Sequence, residues 1–190
     1  MVNISSIGAH HASGTGVIQG LREVEHLIDE TGTNVVHLRG GYFMENYAFS
    51  LPEIQGAGEV YLPVDGAVER PMIASLDIAT LAANLLCDPE WSGRELREIV
   101  GPKYVTFARA AEIIGEVLDK PVKHVKVSPD RARTWMLEMG WSENSAELML
   151  EMYSAMEKGL VAPEGSPYQT MTTLRRFART KLHEHRRAQT

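Results

Sequence analysis

The chain has 190 residues, 44% of them hydrophobic and 23% charged, enough to bury the core of one globular domain with or without an extension. Its net charge of −6 argues against a nucleic-acid binder steered by overall potential, and no apolar run approaches the roughly 20 residues needed to cross a bilayer. Cys87 is alone, so neither an internal disulfide nor a cysteine metal cage forms, and MVNISSIGAHH lacks the flank and apolar stretch of a secretory signal; the expected compartment is the cytoplasm.

Val2 to Ile7, short, apolar and partly β-branched, reads as a buried strand running into Gly8. Val17, Leu21, Val24 and Ile28 then recur at helical spacing and Gly32 follows as a stop, which predicts a helix over 17–31. Asn34 to Leu38 is a second strand, and the crossover between the two is long enough for parallel pairing. This is a βαβ unit. Short strands are expected at Val60 to Pro63, Pro71 to Ser75 and Leu96 to Val100. A helix capped by Ser75 carries Ile78, Leu81, Ala82, Leu85 and Leu86 and ends before Pro89; another, capped by Thr106, puts Phe107, Ala110, Ala111, Ile114 and Val117 on one stripe. Val122 to Val127 alternates valine with basic residues like an edge strand with one face in water. The remainder reads as helical, opened by Ser128-Pro129, by Ser142 and by Thr172 or Thr173. From Leu174 onward six basic residues face the single acid Glu184, a solvated helix face or a local anion site.

Chemistry is expected where the parallel strands end, because open α/β sheets bind ligands there. Ser5-Ser6 stands at the end of the first strand, facing that crevice or forming a local turn. Gly14-x-Gly16-x-x-x-Gly20 lies between strand and helix, but it misses the dinucleotide fingerprint by one residue and stands six residues beyond Gly8. At the end of the second strand Arg39 offers no acid for a ribose diol, although it suits a 2′-phosphate. In RGGYFMEN after it, Gly40 and Gly41 permit close backbone approach, and Tyr42 and Phe43 either wall a flat ring or pack a turn. His10-His11 and His183-x-His185 lack the helical spacing that converges two imidazoles on a metal and read as surface residues, so no metal site is expected. Trp135, Met136, Met139, Trp141, Met149, Met152 and Met156 form either a helix-to-helix core or a pocket for an apolar substrate.

Together NISSIGAHH with GTGVIQGLREVEHLI, HLRGGYFMEN, SLDIATLAANLL, FARAAEIIGEVLDKPVKHVKV and MGWSENSAELMLEMY resemble the second half of the NmrA-like family, atypical short-chain dehydrogenases/reductases. The resemblance implies an α/β fold: a partial Rossmann-like parallel sheet of the last strands only, over 1–50 and 71–100, and a small mixed, mostly helical substrate lobe over 101–190. The N-terminal dinucleotide-binding half, with its glycine-rich loop, is then absent. It further implies NADP or NAD as cofactor of the intact form, bound weakly or not at all by this chain alone. Ser5, Ser6 and Ile7 would border the nicotinamide ribose, Gly41, Tyr42 and Phe43 the carboxamide side, and Met44, Trp135 and Met139 the substrate. The Tyr-x-x-x-Lys pair of typical members, registered on Glu25, falls at Val17 and Leu21, neither of which does acid–base work. The implied activity is reduction of a small apolar carbonyl or quinone; non-catalytic NADP(H) sensing is the alternative. The unguarded first strand also suits a protein partner or self-association, with neither nucleic acid nor membrane as partner.

Overall fold

The computed structural model describes residues 1–88 and 90–182; His183 and His185 lie outside them. In chain order the elements are Val2–Ser6 (β1), Ile18–Glu30 (α1), Val35–Gly40 (β2), Tyr42–Phe43 (β3), Asn46–Phe49 (α2), Leu51–Gly56 (α3), Glu59–Leu62 (β4), Glu69–Ile73 (β5) and Ser75–Cys87 (α4). Arg94–Val100 (β6), Tyr104–Thr106 (β7), Phe107–Leu118 (α5), Lys123–Lys126 (β8), Pro129–Glu138 (α6), Glu143–Glu157 (α7), Tyr168–Gln169 (β9) and Leu174–Phe177 (α8) follow, ending in a π-helical turn, Ala178–Leu182.

β1 and β2 pair in parallel, Val2 opposite Val36 and Ser6 opposite Gly40, so the βαβ unit forms as its spacing predicts. β6 and then β9 continue the sheet in the same direction, giving the order β1-β2-β6-β9. Alternation along β2 assigns its two faces. Val36 and Leu38 are buried against Ile78 and Leu85 of α4. His37 and Arg39 turn the other way, toward α1. There the Asn3 amide donates to His37 Nδ1 and His37 Nε2–H donates to Asp29, both at 2.9 Å, while Arg94 Nε donates to the second Asp29 oxygen at 2.6 Å.

The lobe gathers around α5, whose stripe of Phe107, Ala110, Ala111 and Ile114 is fully buried. Thr106 caps it, accepting from Arg109 N–H at 3.1 Å, and Asp119 ends it in the left-handed region at φ 52°. β5 lies between parallel β3 and antiparallel β7, and β4 pairs in parallel with β8. Leu174, Phe177 and Leu182 close the same core. Sheet and lobe meet backbone to backbone. Gly101 N–H donates to Met72 O at 2.8 Å, and a Cβ on Gly41 would stand 2.1 Å from the Pro71 carbonyl oxygen, so only glycine fits there.

Several expectations need correction. Ser75 is the first residue of α4 rather than its cap; the Glu45 carboxylate accepts from its N–H and hydroxyl at 3.0 and 2.7 Å. Thr173, not Thr172, caps α8, because Thr172 is tied to Asp77 by its hydroxyl and its N–H. The stretch 159–173 is not helical: it passes through bends and contributes β9, held by contacts distant in sequence. The Met and Trp cluster divides, with Met156 in the core and Met139 76% exposed. Replacing Gly41 by alanine should cost about 1–3 kcal/mol through overpacking at the sheet–lobe junction, read as a lower urea midpoint at unchanged slope.

Candidate functional site at the strand ends

The ends of β1 and β2 come together as the sequence suggests: Ile7 N–H donates to Gly40 O at 3.0 Å. The side chains there take separate directions. Ser5 is buried with its hydroxyl beside the Glu25 carboxylate; the half-buried Ser6 hydroxyl donates to Ile7 O at 3.0 Å; Ile7 and Met44 lie in the lobe core. Tyr42 stands edge-on to Phe107 and Tyr47 with ring centroids 5.2 and 6.2 Å away, and burial pushes its phenol well above the usual range. Phe43 turns to the α4 side, where its ring edge fills the space a Cβ on Gly40 would need. Trp135 packs edge-on against Tyr61 of β4 beneath the Arg131 guanidinium.

Arg39 is committed to protein carboxylates. Its guanidinium donates bidentately to Glu25 at 2.9 and 2.7 Å and to Glu164 at 3.0 Å, which leaves little for a 2′-phosphate. Burial alone would raise the Glu25 carboxyl, but the hydrogen bonds and charge of Arg39 outweigh it and hold the group below the usual carboxylate range. Glu164 belongs to the strap that joins α7 to β9. Glu98 of β6 accepts from the N–H groups of Glu164 and Gly165, His11 Nε2–H donates to Leu160 O at 3.0 Å, and Arg70 donates to the carbonyls of Met156 and Val161. His10 Nδ1 lies 3.3 Å from Glu164, and burial holds its imidazole below the ordinary value against the pull of that carboxylate. Both adjacent histidines are therefore half-buried rather than surface residues, and His11 pins the strap. Sequence reasoning missed Glu25, Glu98 and Glu164. Glu25 had a signal, an acid on the inward side of a helix beside a strand carrying arginine; Glu164, 125 residues from Arg39, had none.

A pyrophosphate needs open N–H groups at a helix start and a glycine cradle. At the start of α1, Val17, Ile18 and Gln19 donate to the carbonyls of Leu148, Thr15 and Gly16, and a Cβ on Gly16 would lie 1.9 Å from Leu148 O. α4 begins against the Glu45 carboxylate. The described residues thus do not fit the phosphate portion of a dinucleotide. A cleft of about 600 Å³ lies elsewhere, between Gly58 and the end of α5, where Lys120 and Lys123 are engaged by the Gln55 and Gly56 carbonyls and by Glu59.

Arg39→Met should destabilise the protein by about 3–5 kcal/mol in urea titrations, because it strands the buried Glu25 charge, and the double variant with Glu25→Leu should recover most of that loss. The Glu25 carboxyl is lower in the folded state, so its contribution is complete above the unfolded value near 4.3 and drains away as pH falls through the folded value. The parent's stability advantage over Glu25→Gln should accordingly shrink between about pH 5 and pH 3.

No family model matches the chain. Over 150 residues it is 27% identical to the NAD(P)H azoreductase of Xenophilus azovorans, covering 79% of this chain and 52% of that one. An Escherichia coli NADPH-dependent quinone oxidoreductase, solved with NADPH, superposes with TM-score 0.79 at 19% identity over 95% of this chain and 65% of its own. NmrA, a negative transcriptional regulator solved with NAD, superposes with TM-score 0.71 at 13% identity over 99% and 65%. The chain therefore spans about half the length of the curated relatives it matches. With its parallel sheet and its lobe, the chain shares the fold of these solved structures, and in sequence it is similar to the azoreductase.

Proposed function

We propose that these residues form the nicotinamide- and substrate-side part of an NAD(P)-dependent oxidoreductase acting on a small apolar carbonyl or quinone. The observation that carries this reading is the junction of Ser5–Ile7 with Gly40–Phe43 at the ends of two parallel strands, where such sheets hold ligands. The azoreductase and quinone oxidoreductase likenesses support it. NAD(P)H, held through its phosphates by polypeptide outside these residues, supplies a hydride when bound. What this chain supplies is a wall: Ser6, the Gly40–Gly41 backbone and Phe43 at the rim, and the strap fixed by Arg39 behind them.

No residue of this wall is poised to move a proton. Tyr42 is half-buried against the lobe core with its phenol pushed well above the usual range, and by the resemblance Val17 and Leu21 stand where typical short-chain dehydrogenases carry tyrosine and lysine. A quinone, whose reduced oxygens take protons from water, tolerates this better than a ketone. The same observation favours a second reading, non-catalytic sensing of the NADP to NADPH ratio.

NADPH oxidation by the full-length parent across a panel of quinones should show turnover; redox-selective binding without turnover would instead support sensing, and equal affinity for both redox forms would remove it. The 190-residue chain alone should give no calorimetric signal with NADPH at micromolar concentration. Micromolar binding would overturn the placement of the phosphate site outside it.

A further inference from the structure

β2 runs beside β6 from Arg94 to Ile99, but β9 pairs only with the last two residues of β6, Ile99 and Val100. Among the described residues the outer edge over Arg94 to Glu98 is paired with no strand. Val35 N–H donates to Gly93 O and Gly41 N–H to Ile99 O, so by the alternation of a parallel ladder the odd-numbered residues of β6 bond β2. Arg94, Leu96 and Glu98 therefore turn their N–H and C=O groups outward. Leu96, beside His37 in the register and so on the α1 face, is 39% exposed. Charged side chains ordinarily guard such an edge against pairing. Their order here does the reverse: Arg-Glu-Leu-Arg-Glu is its own charge complement when laid against itself in the opposite direction.

We infer that this edge joins a second copy of the chain by antiparallel pairing of β6 with β6 about a two-fold axis at Leu96. In that register Leu96 faces Leu96 of the second copy, Arg94 faces Glu98 and Glu95 faces Arg97, and each unlike contact occurs twice, as a two-fold interface requires. The residues that would exchange backbone hydrogen bonds are Arg94, Leu96 and Glu98, the ones whose groups point outward. The charges select this register alone. A slip of two residues sets Glu95 against Glu95 in one direction and Arg97 against Arg97 in the other, and a slip of one sets outward-facing groups against inward-facing ones. Arg97 bonds one Glu95 oxygen, Oε2, through two nitrogens, which leaves Oε1 for Arg97 of the second copy. The Arg94 side chain, 57% exposed, bonds Asp29 through Nε and keeps its terminal nitrogens for Glu98 of the second copy. Glu98 also accepts from the N–H groups of Glu164 and Gly165, so the contact reaches the strap. Five residues a side cover less than the roughly 800 Å² per partner of a stable interface, so a dissociation constant of about 10–100 μM is expected.

Sedimentation velocity of the full 190-residue chain from about 5 to 300 μM should show a monomer–dimer equilibrium that weakens with added salt, and exchange of the Leu96 amide should slow about 5-fold at the upper end. Arg97→Glu and Glu95→Arg, both at the surface and expected to keep the parent's melting temperature, each set like charges opposite one another twice. Each alone should weaken the dimer by about 10-fold. An equimolar mixture of the two variants restores unlike charges at both places and should form a heterodimer over the parent's concentration range, as should the charge-swapped Glu95→Arg/Arg97→Glu chain with itself. A parent that stays monomeric throughout overturns the inference, and so does a dimer that the single variants leave unchanged or that their mixture fails to restore. Self-association that protects Val2–Ser6 and leaves Leu96 exchanging freely overturns it in favour of the β1 edge.

Discussion

Arg39 and Glu25 face each other in the space between the parallel sheet and its first helix, both almost wholly removed from water. Taking a guanidinium and a carboxylate out of water costs several kcal/mol for each ion, and only good geometry offsets it. The pair has that geometry, two parallel hydrogen bonds with a third from the same guanidinium to Glu164. Much follows from it. α1 lies against a polar face of the sheet, Ser5 is buried beside the carboxylate, and the strap after α7 is drawn over the ends of β1 and β2. The apolar driving force acts on the other face, where α4 covers Val36, Leu38 and Ile99.

That division explains what could be read from the residues and what could not. The βαβ start, the Phe107 to Leu118 stripe and the caps at Thr106, Ser128 and Ser142 are local patterns, and local physics fixed them. The short helices over 46–56, β7 and β9 depend on partners far along the chain. Glu164 was illegible for the same reason, since it is an ordinary polar residue until β9 joins the sheet. Gly16 shows how a motif misleads: its lack of a side chain serves contact with Leu148 of α7, not with a phosphate.

At the strand ends the chain is therefore built more as a fixed wall than as a complete binding site. Its leading helix N–H groups are consumed by its own carbonyls or by Glu45, and Tyr42 and Tyr153 pack, half-buried, against the lobe core.

The contact of Gly41 and Gly101 with β5 bears on how far the lobe can move against the sheet. Where one backbone rests directly on another, with Gly101 N–H bonded to Met72 O and no space for a Cβ on Gly41 against Pro71 O, there is no room for the dihedral swings of a hinge. Opening and closing of the lobe against the sheet is suppressed at its root, so the two travel as one body.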